Sequence, residues 1–125
     1  LGSQLYIKYA WKDIIIIPAS LTKISGDFLL INNGYEIWLY NYKDDWQEII
    51  DRSSKIISDI IWHPNGSYFL NEINQETIIS ELDTRDQRNT ISLFNNPFKK
   101  YYLFNKKGDK LFVLTPQENF SLTIQ

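Results

Sequence analysis

Apolar and aromatic residues gather along this chain in short runs, and Gly, Asn, Asp and Pro interrupt them at close intervals. Runs of that length rich in Ile, Tyr, Phe and Trp are strand signals. Phe28-Leu29-Leu30-Ile31 closes at Asn32-Asn33-Gly34, Glu36-Ile37-Trp38-Leu39-Tyr40 stops at Lys43-Asp44-Asp45, and Gln47-Glu48-Ile49-Ile50 makes a third segment. The series resumes as Ser58-Asp59-Ile60-Ile61-Trp62, Tyr68-Phe69-Leu70, a run over 77–82 and Thr90-Ile91-Ser92-Leu93-Phe94. It resumes again as Tyr101-Tyr102-Leu103-Phe104, Lys110-Leu111-Phe112-Val113-Leu114 and Phe120-Ser121-Leu122-Thr123-Ile124. Runs such as Phe28 to Ile31 and Leu111 to Leu114 are continuously apolar, which predicts strands covered on both faces. The fold class is all-β.

Spacing turns the list into a repeat. Gly26, Gly66 and Gly108 each follow a polar turn and precede an apolar strand, at offsets of 40 (66 − 26) and 42 (108 − 66). A period near 40 with four short strands per unit is that of a β-propeller blade, a four-stranded antiparallel sheet with neighbours on both faces. Asn65-Gly66 and Lys107-Gly108 supply the tolerance of positive φ that a tight turn requires, and Pro64 ends the preceding strand.

The segment Asp59-Ile60-Ile61-Trp62-His63-Pro64-Asn65-Gly66-Ser67-Tyr68-Phe69-Leu70 resembles the repeat signature of TolB-type, WD-like β-propellers, an apolar strand ending in Trp-Ser-Pro-Asp-Gly before a second strand. Trp62, Pro64, Gly66, Tyr68 and Leu70 fall on that pattern, while His63 and Asn65 replace Ser and Asp. A third copy keeps the turn as Asn105-Lys106-Lys107-Gly108-Asp109, and Glu36-Ile37-Trp38 with Asn41 is similar to the third strand of such blades. The resemblance implies a partial ring of about three blades at 22–55, 56–98 and, incompletely, 99–125, with 4–21 as closing strands of a preceding blade. It also implies a bacterial envelope or extracytoplasmic setting. Leu1-Gly2-Ser3 reads as an expression-tag remnant, and the chain as a piece of a larger protein.

Composition narrows the chemistry. The 125 residues are 43% hydrophobic and 15% aromatic, enough apolar surface for a packed core. A net charge of −2 argues against a nucleic-acid partner, because phosphate recognition needs clustered Lys and Arg. No apolar run is long enough for a membrane span. Without Cys, and with His63 as the one histidine, thiol nucleophiles, Cys-based zinc sites and His-pair metal sites are excluded. No metal or cofactor is expected. His63 sits where the repeat asks for a small turn-forming residue, so its expected role is structural. Asp44-Asp45 and Asp83-x-x-Asp86 have no calcium-loop spacing and read as solvated turns. The serines lack a nucleophile-elbow context. Trp11, Trp38, Trp46, Trp62, Tyr101 and Tyr102 read mainly as packing residues, with Trp46 and Tyr42 as candidates for exposure.

One surface stands out: in a blade repeat the loops 51–55 and 95–100 share a rim, which gathers Arg52, Lys55, Lys99 and Lys100 as candidate binding residues. The expected function is that of a non-catalytic scaffold, binding a protein partner or its own copies. The alternatives are the propeller of a prolyl-oligopeptidase-like hydrolase and a ligand-binding β-sandwich. Three units fall short of the four to eight blades with which propellers close, so an open arc would leave blade faces and edges exposed.

Overall fold

The computed structural model describes residues 4–7, 15–18, 21–82 and 89–124, with side chains from residue 26 onward. Leu1 to Ser3, Trp11, Asp83 and Asp86 lie outside the described residues. Within them the chain is all-β and antiparallel, with no helix, and hence none long and apolar enough to cross a membrane.

Strands β1 (Gln4–Ile7) and β2 (Ile15–Pro18) pair as a separate hairpin. Sheet I contains β3 (Leu21–Ser25), β4 (Phe28–Asn32), β5 (Glu36–Asn41) and β6 (Trp46–Arg52). Sheet II contains β7 (Ile57–Trp62), β8 (Tyr68–Ile73), β9 (Glu76–Glu81) and β10 (Thr90–Asn95). Sheet III contains β11 (Tyr101–Phe104), β12 (Lys110–Leu114) and β13 (Asn119–Thr123). Each sheet is a meander in which every strand pairs with its neighbours in sequence.

The run Phe28 to Ile31 becomes a strand buried on both sides because successive side chains point to opposite faces. On β4, Leu30 joins a core with Ile37, Leu39 and Ile50 of sheet I and Ile57, Ile60 and Phe69 of sheet II, while Leu29 and Ile31 turn the other way with Tyr40. On β8, Phe69 faces sheet I and the next residue, Leu70, packs with Leu111 and Val113 of sheet III. Burial of each such side chain stabilises by about 1.5–3 kcal/mol. The sheets therefore stack I on II and II on III. Among the described residues sheet III is covered on one side, which corrects the two-sided burial expected of Leu111 to Leu114: Leu111 and Val113 are fully buried, whereas the alternate Phe112 and Leu114 are 38% and 44% exposed.

Two turns share one hydrogen-bond pattern. His63 N–H bonds to Tyr68 C=O and Gly66 N–H to His63 C=O; Asn105 N–H bonds to Lys110 C=O and Gly108 N–H to Asn105 C=O. Gly66 and Gly108 hold φ of 74° and 78° in these equivalent positions, which side chains rarely adopt. The β8–β9 hairpin closes on two residues, Asn74 (φ 51°) and Gln75 (φ 72°), the type I′ pattern that favours Asn-Gly. Replacing Gln75→Gly relieves a left-handed conformation and is expected to stabilise the chain by about 0.5–1 kcal/mol in urea denaturation; an unchanged or lowered midpoint contradicts this.

Candidate functional site

The four rim cations occupy different environments. Arg52 lies at the end of β6 and its Nε contacts Glu36 Oε2 at 3.1 Å across the ladder, with the side chains 70% and 29% exposed. The Asn33 amide, followed by the Trp38 indole N–H and Arg52, holds the Glu36 carboxyl below its usual range against a smaller opposing effect of desolvation. Lys55 is exposed in the loop after β6. Lys99 is exposed with its Nζ 5.5 Å from the centre of the Tyr101 ring.

Lys100 departs from the rim expectation. Its side chain is 1% exposed, and Nζ donates to Glu72 Oε1 at 3.1 Å and to the Phe98 carbonyl at 2.8 Å. The reason is a carboxylate buried between sheets II and III, which draws the cation inward. Glu72, on β8, also accepts from Tyr102 Oη at 2.6 Å and from Ser58 Oγ at 2.6 Å. The single Tyr102 hydroxyl proton goes to that carboxylate, so Thr77 Oγ1, 2.7 Å away, is the donor to the Tyr102 oxygen. Burial raises the Glu72 pKa, but the bonds from Ser58, Tyr102 and Lys100, with the Lys100 charge, outweigh it and leave the group below its ordinary value. Burial, and then the bond to Glu72, push the Tyr102 phenol far upward. Tyr102, and Lys100 from the loop before β11, brace this part of sheet II to sheet III, while Ser58 holds Glu72 from within sheet II.

His63 forms the second brace. It is buried at the end of β7, where its Nδ1 accepts the Asn65 N–H at 3.2 Å. Nε2 therefore carries the ring proton and donates to the Gly108 carbonyl at 2.8 Å, a tautomer assigned from these partners. The ring stacks edge-on to Phe104 at 4.9 Å and to Tyr68 at 5.8 Å. With both nitrogens occupied, His63 is a cross-link between two turns.

The acidic turn after β5 is locally satisfied. Tyr40 Oη donates to Asp45 Oδ1 at 2.6 Å, and burial followed by that bond pushes its pKa up to about 12. Asp44 accepts from the Asn41 side chain. Tyr42 is half-buried and bonds to the Gly26 carbonyl, whereas Trp46 is 41% exposed and stands edge-on to Phe28. Among the described residues no three His, Asp or Glu side chains converge as a metal set.

Two features escape sequence reasoning. Asn71 and Ser80 are buried on the face of sheet II that meets sheet I, and their side chains have no hydrogen-bond partner among the described residues. An open cleft of about 950 Å³ lies between the outer parts of sheets II and III, with Tyr68, Ile79, Ile91, Leu93, Thr123 and Ile124 in its walls. The alternation of Ile91 and Leu93 marks a strand, but nothing local tells that Ile91 remains 61% exposed beside that cleft. Compared with known proteins, the chain matches no family model and no curated sequence.

Proposed function

We propose that the chain is a non-catalytic β-propeller segment of about three blades, acting as a protein-interaction or self-assembly scaffold. The observation that carries this reading is the outer face of sheet III, which no described residues cover and where Tyr101, Leu103, Phe112 and Leu114 are 60%, 63%, 38% and 44% exposed. With Gly66 aligned on Gly108, Phe112 corresponds to Leu70 and Leu103 to Ile61, and both of those are covered by the next sheet. An apolar face in this register suits another protein surface better than water. Completion of each meander before the next begins also favours blades over a sandwich, whose chain passes back and forth between its two sheets.

Light scattering across a concentration series is the test. Self-assembly predicts a mass that rises above the monomer, and Leu103→Lys is expected to weaken association by roughly tenfold or more without altering thermal stability, since Leu103 is open to solvent. A wild-type chain that stays monomeric removes the self-assembly arm. A Leu103→Lys variant that associates as tightly as wild type, or that unfolds, removes the assignment of this face.

A further inference from the structure

The chain holds two Asn-Gly steps, Asn33-Gly34 between β4 and β5 and Asn65-Gly66 between β7 and β8, and both asparagines are exposed. At such a step the glycine nitrogen, with no side chain beside it, can reach the asparagine carboxamide carbon. The two turns differ in how firmly they hold the atoms that must meet. At Asn33 every reacting group is held. Nδ2 donates to Glu36 Oε1 at 3.0 Å, and Oδ1 accepts the N–H groups of Tyr35 and Glu36 at 3.2 and 2.9 Å. The Gly34 N–H donates to Asn32 Oδ1 at 2.8 Å, and the Gly34 carbonyl accepts from Ile57 N–H at 2.7 Å. Asn32 is itself buried, with its Nδ2 on the Ile57 carbonyl. Turning the Asn33 carboxamide toward the Gly34 nitrogen therefore breaks bonds anchored at the junction of sheets I and II.

Asn65 is held by less. Its Oδ1 accepts the Ser67 N–H at 2.8 Å, and among the described residues Nδ2 has no partner. The Gly66 nitrogen has the turn-closing bond to the His63 carbonyl, at 2.9 Å. Donors on Oδ1 favour attack at either asparagine, because that oxygen gathers negative charge as the nitrogen adds. The difference lies in the leaving amide and in the glycine nitrogen. We propose that Asn65 is a site of spontaneous deamidation, and that its isoaspartyl product unlocks the His63 brace between sheets II and III. The Gly66 nitrogen forms a bond to Asn65 Cγ and gives up its proton. The Cγ–Nδ2 bond breaks, and ammonia leaves with that proton. One water then opens the cyclic imide. Opening at Cγ yields aspartate on an unaltered main chain, whereas opening at the main-chain carbonyl leaves the chain running through Cγ as isoaspartate.

Isoaspartate inserts a methylene into the main chain between two bonded groups. Before it stands the Asn65 N–H, which His63 Nδ1 accepts at 3.2 Å, and after it the Gly66 N–H, which the His63 carbonyl accepts. A turn closed at both ends on one residue has no slack for the extra atom. The imidazole then loses the bond that fixes its tautomer, and with it the steady donation from Nε2 to the Gly108 carbonyl. Sheet III is released from this end of sheet II by a slow covalent change in an exposed turn. The inference stands apart from the scaffold reading and makes no use of it.

The test ages the whole chain in warm, mildly alkaline buffer. Isoaspartate is located by peptide mapping and quantified by methyl transfer from S-adenosylmethionine with an isoaspartyl methyltransferase. Product at residue 65 should exceed product at residue 33 by roughly tenfold or more, and in urea, where neither turn exists, the two should approach each other. Asn65→Gln, whose longer side chain cyclises far more slowly, should remove most of the signal. Little product at 65, equal product at both sites in the folded chain, or an excess at 65 that persists undiminished in urea overturns the site. The coupling to His63 has its own readout. Asn65→Asp carries the charge of the aged product on an unaltered main chain, so it should melt with wild type. The purified isoaspartyl fraction should melt roughly 5 °C lower, with displaced NMR signals from the His63 ring nitrogens. Equal melting temperatures for these two proteins, or unmoved nitrogen signals, overturn the coupling.

Discussion

Gly108→Ala is expected to destabilise the chain by about 2–5 kcal/mol, the sum of a left-handed backbone penalty of about 1–2 and overpacking of about 1–3. The φ of Gly108 is 78°, and a Cβ at that position would stand 2.5 Å from His63 Nε2 and closer still to Cε1. The imidazole has nowhere to retreat, because Asn65 N–H holds one nitrogen and Phe104 lies 4.9 Å from its centre. A fall in melting temperature of roughly 10 °C is the corresponding readout for a domain of this size. The contact is isolated by a double-mutant cycle: in a His63→Ala background the alanine at 108 should cost only the backbone part, about 1–2 kcal/mol. Equal costs in the two backgrounds would mean that the imidazole is not the obstacle.

Lys100→Met is expected to cost about 3–5 kcal/mol, the penalty for leaving a buried charge without its partner. Glu72, whose side chain is 14% exposed, would retain only the hydroxyls of Tyr102 and Ser58. Joint replacement, Lys100→Met with Glu72→Leu, should recover most of the loss, since a well-packed apolar pair can match or exceed a buried ion pair. Urea denaturation of the three proteins measures this, and a single variant costing less than about 1 kcal/mol would show that the pair is screened as on an open surface. pH provides a second readout. The Glu72 carboxyl is held below its ordinary 4.5, so its stabilisation is present above that value and disappears as pH falls through the lowered one. Wild type should therefore lose stability below about pH 4.5 more steeply than the Met/Leu variant; parallel pH profiles would assign the acid sensitivity to other carboxylates.

Several elements were legible in the sequence because their cause is local. Phe28 to Ile31 read as a strand covered on both faces, and Leu29 and Leu30 do divide between two cores, whereas Leu111 to Leu114, read the same way, is covered on one face. The left-handed turns at Gly66 and Gly108 were legible for the same reason, since few residues other than glycine tolerate such φ values. His63 was expected to be structural, and its two nitrogens are spent on main-chain groups.

What escaped was decided by distant partners. Lys100 stands in a loop of Asn, Pro and Lys that reads as solvated, and only Glu72, 28 residues away, explains why it is buried. Leu111 and Phe112 belong to one apolar run, yet one is fully buried and the other 38% exposed, because sheet II covers the face that carries Leu111 and no described residues cover the other. The bulges of β6 and β10 arise between paired strands, and hydrophobic periodicity carries no sign of them.

Wiring by sequence neighbours also sets an order of assembly. Each hairpin in the three sheets closes over a short loop, so secondary pairing requires little loop-closure entropy and the individual sheets can form early. The bonds that unite sheets II and III are of another kind: His63 to Gly108 spans 45 residues and Glu72 to Lys100 spans 28. Such contacts become favourable only once both sheets exist, which predicts low φ-values for His63 and Lys100 in a folding-kinetics series. In kinetic terms the two braces act as latches: weakening them accelerates unfolding and leaves the refolding rate nearly unchanged.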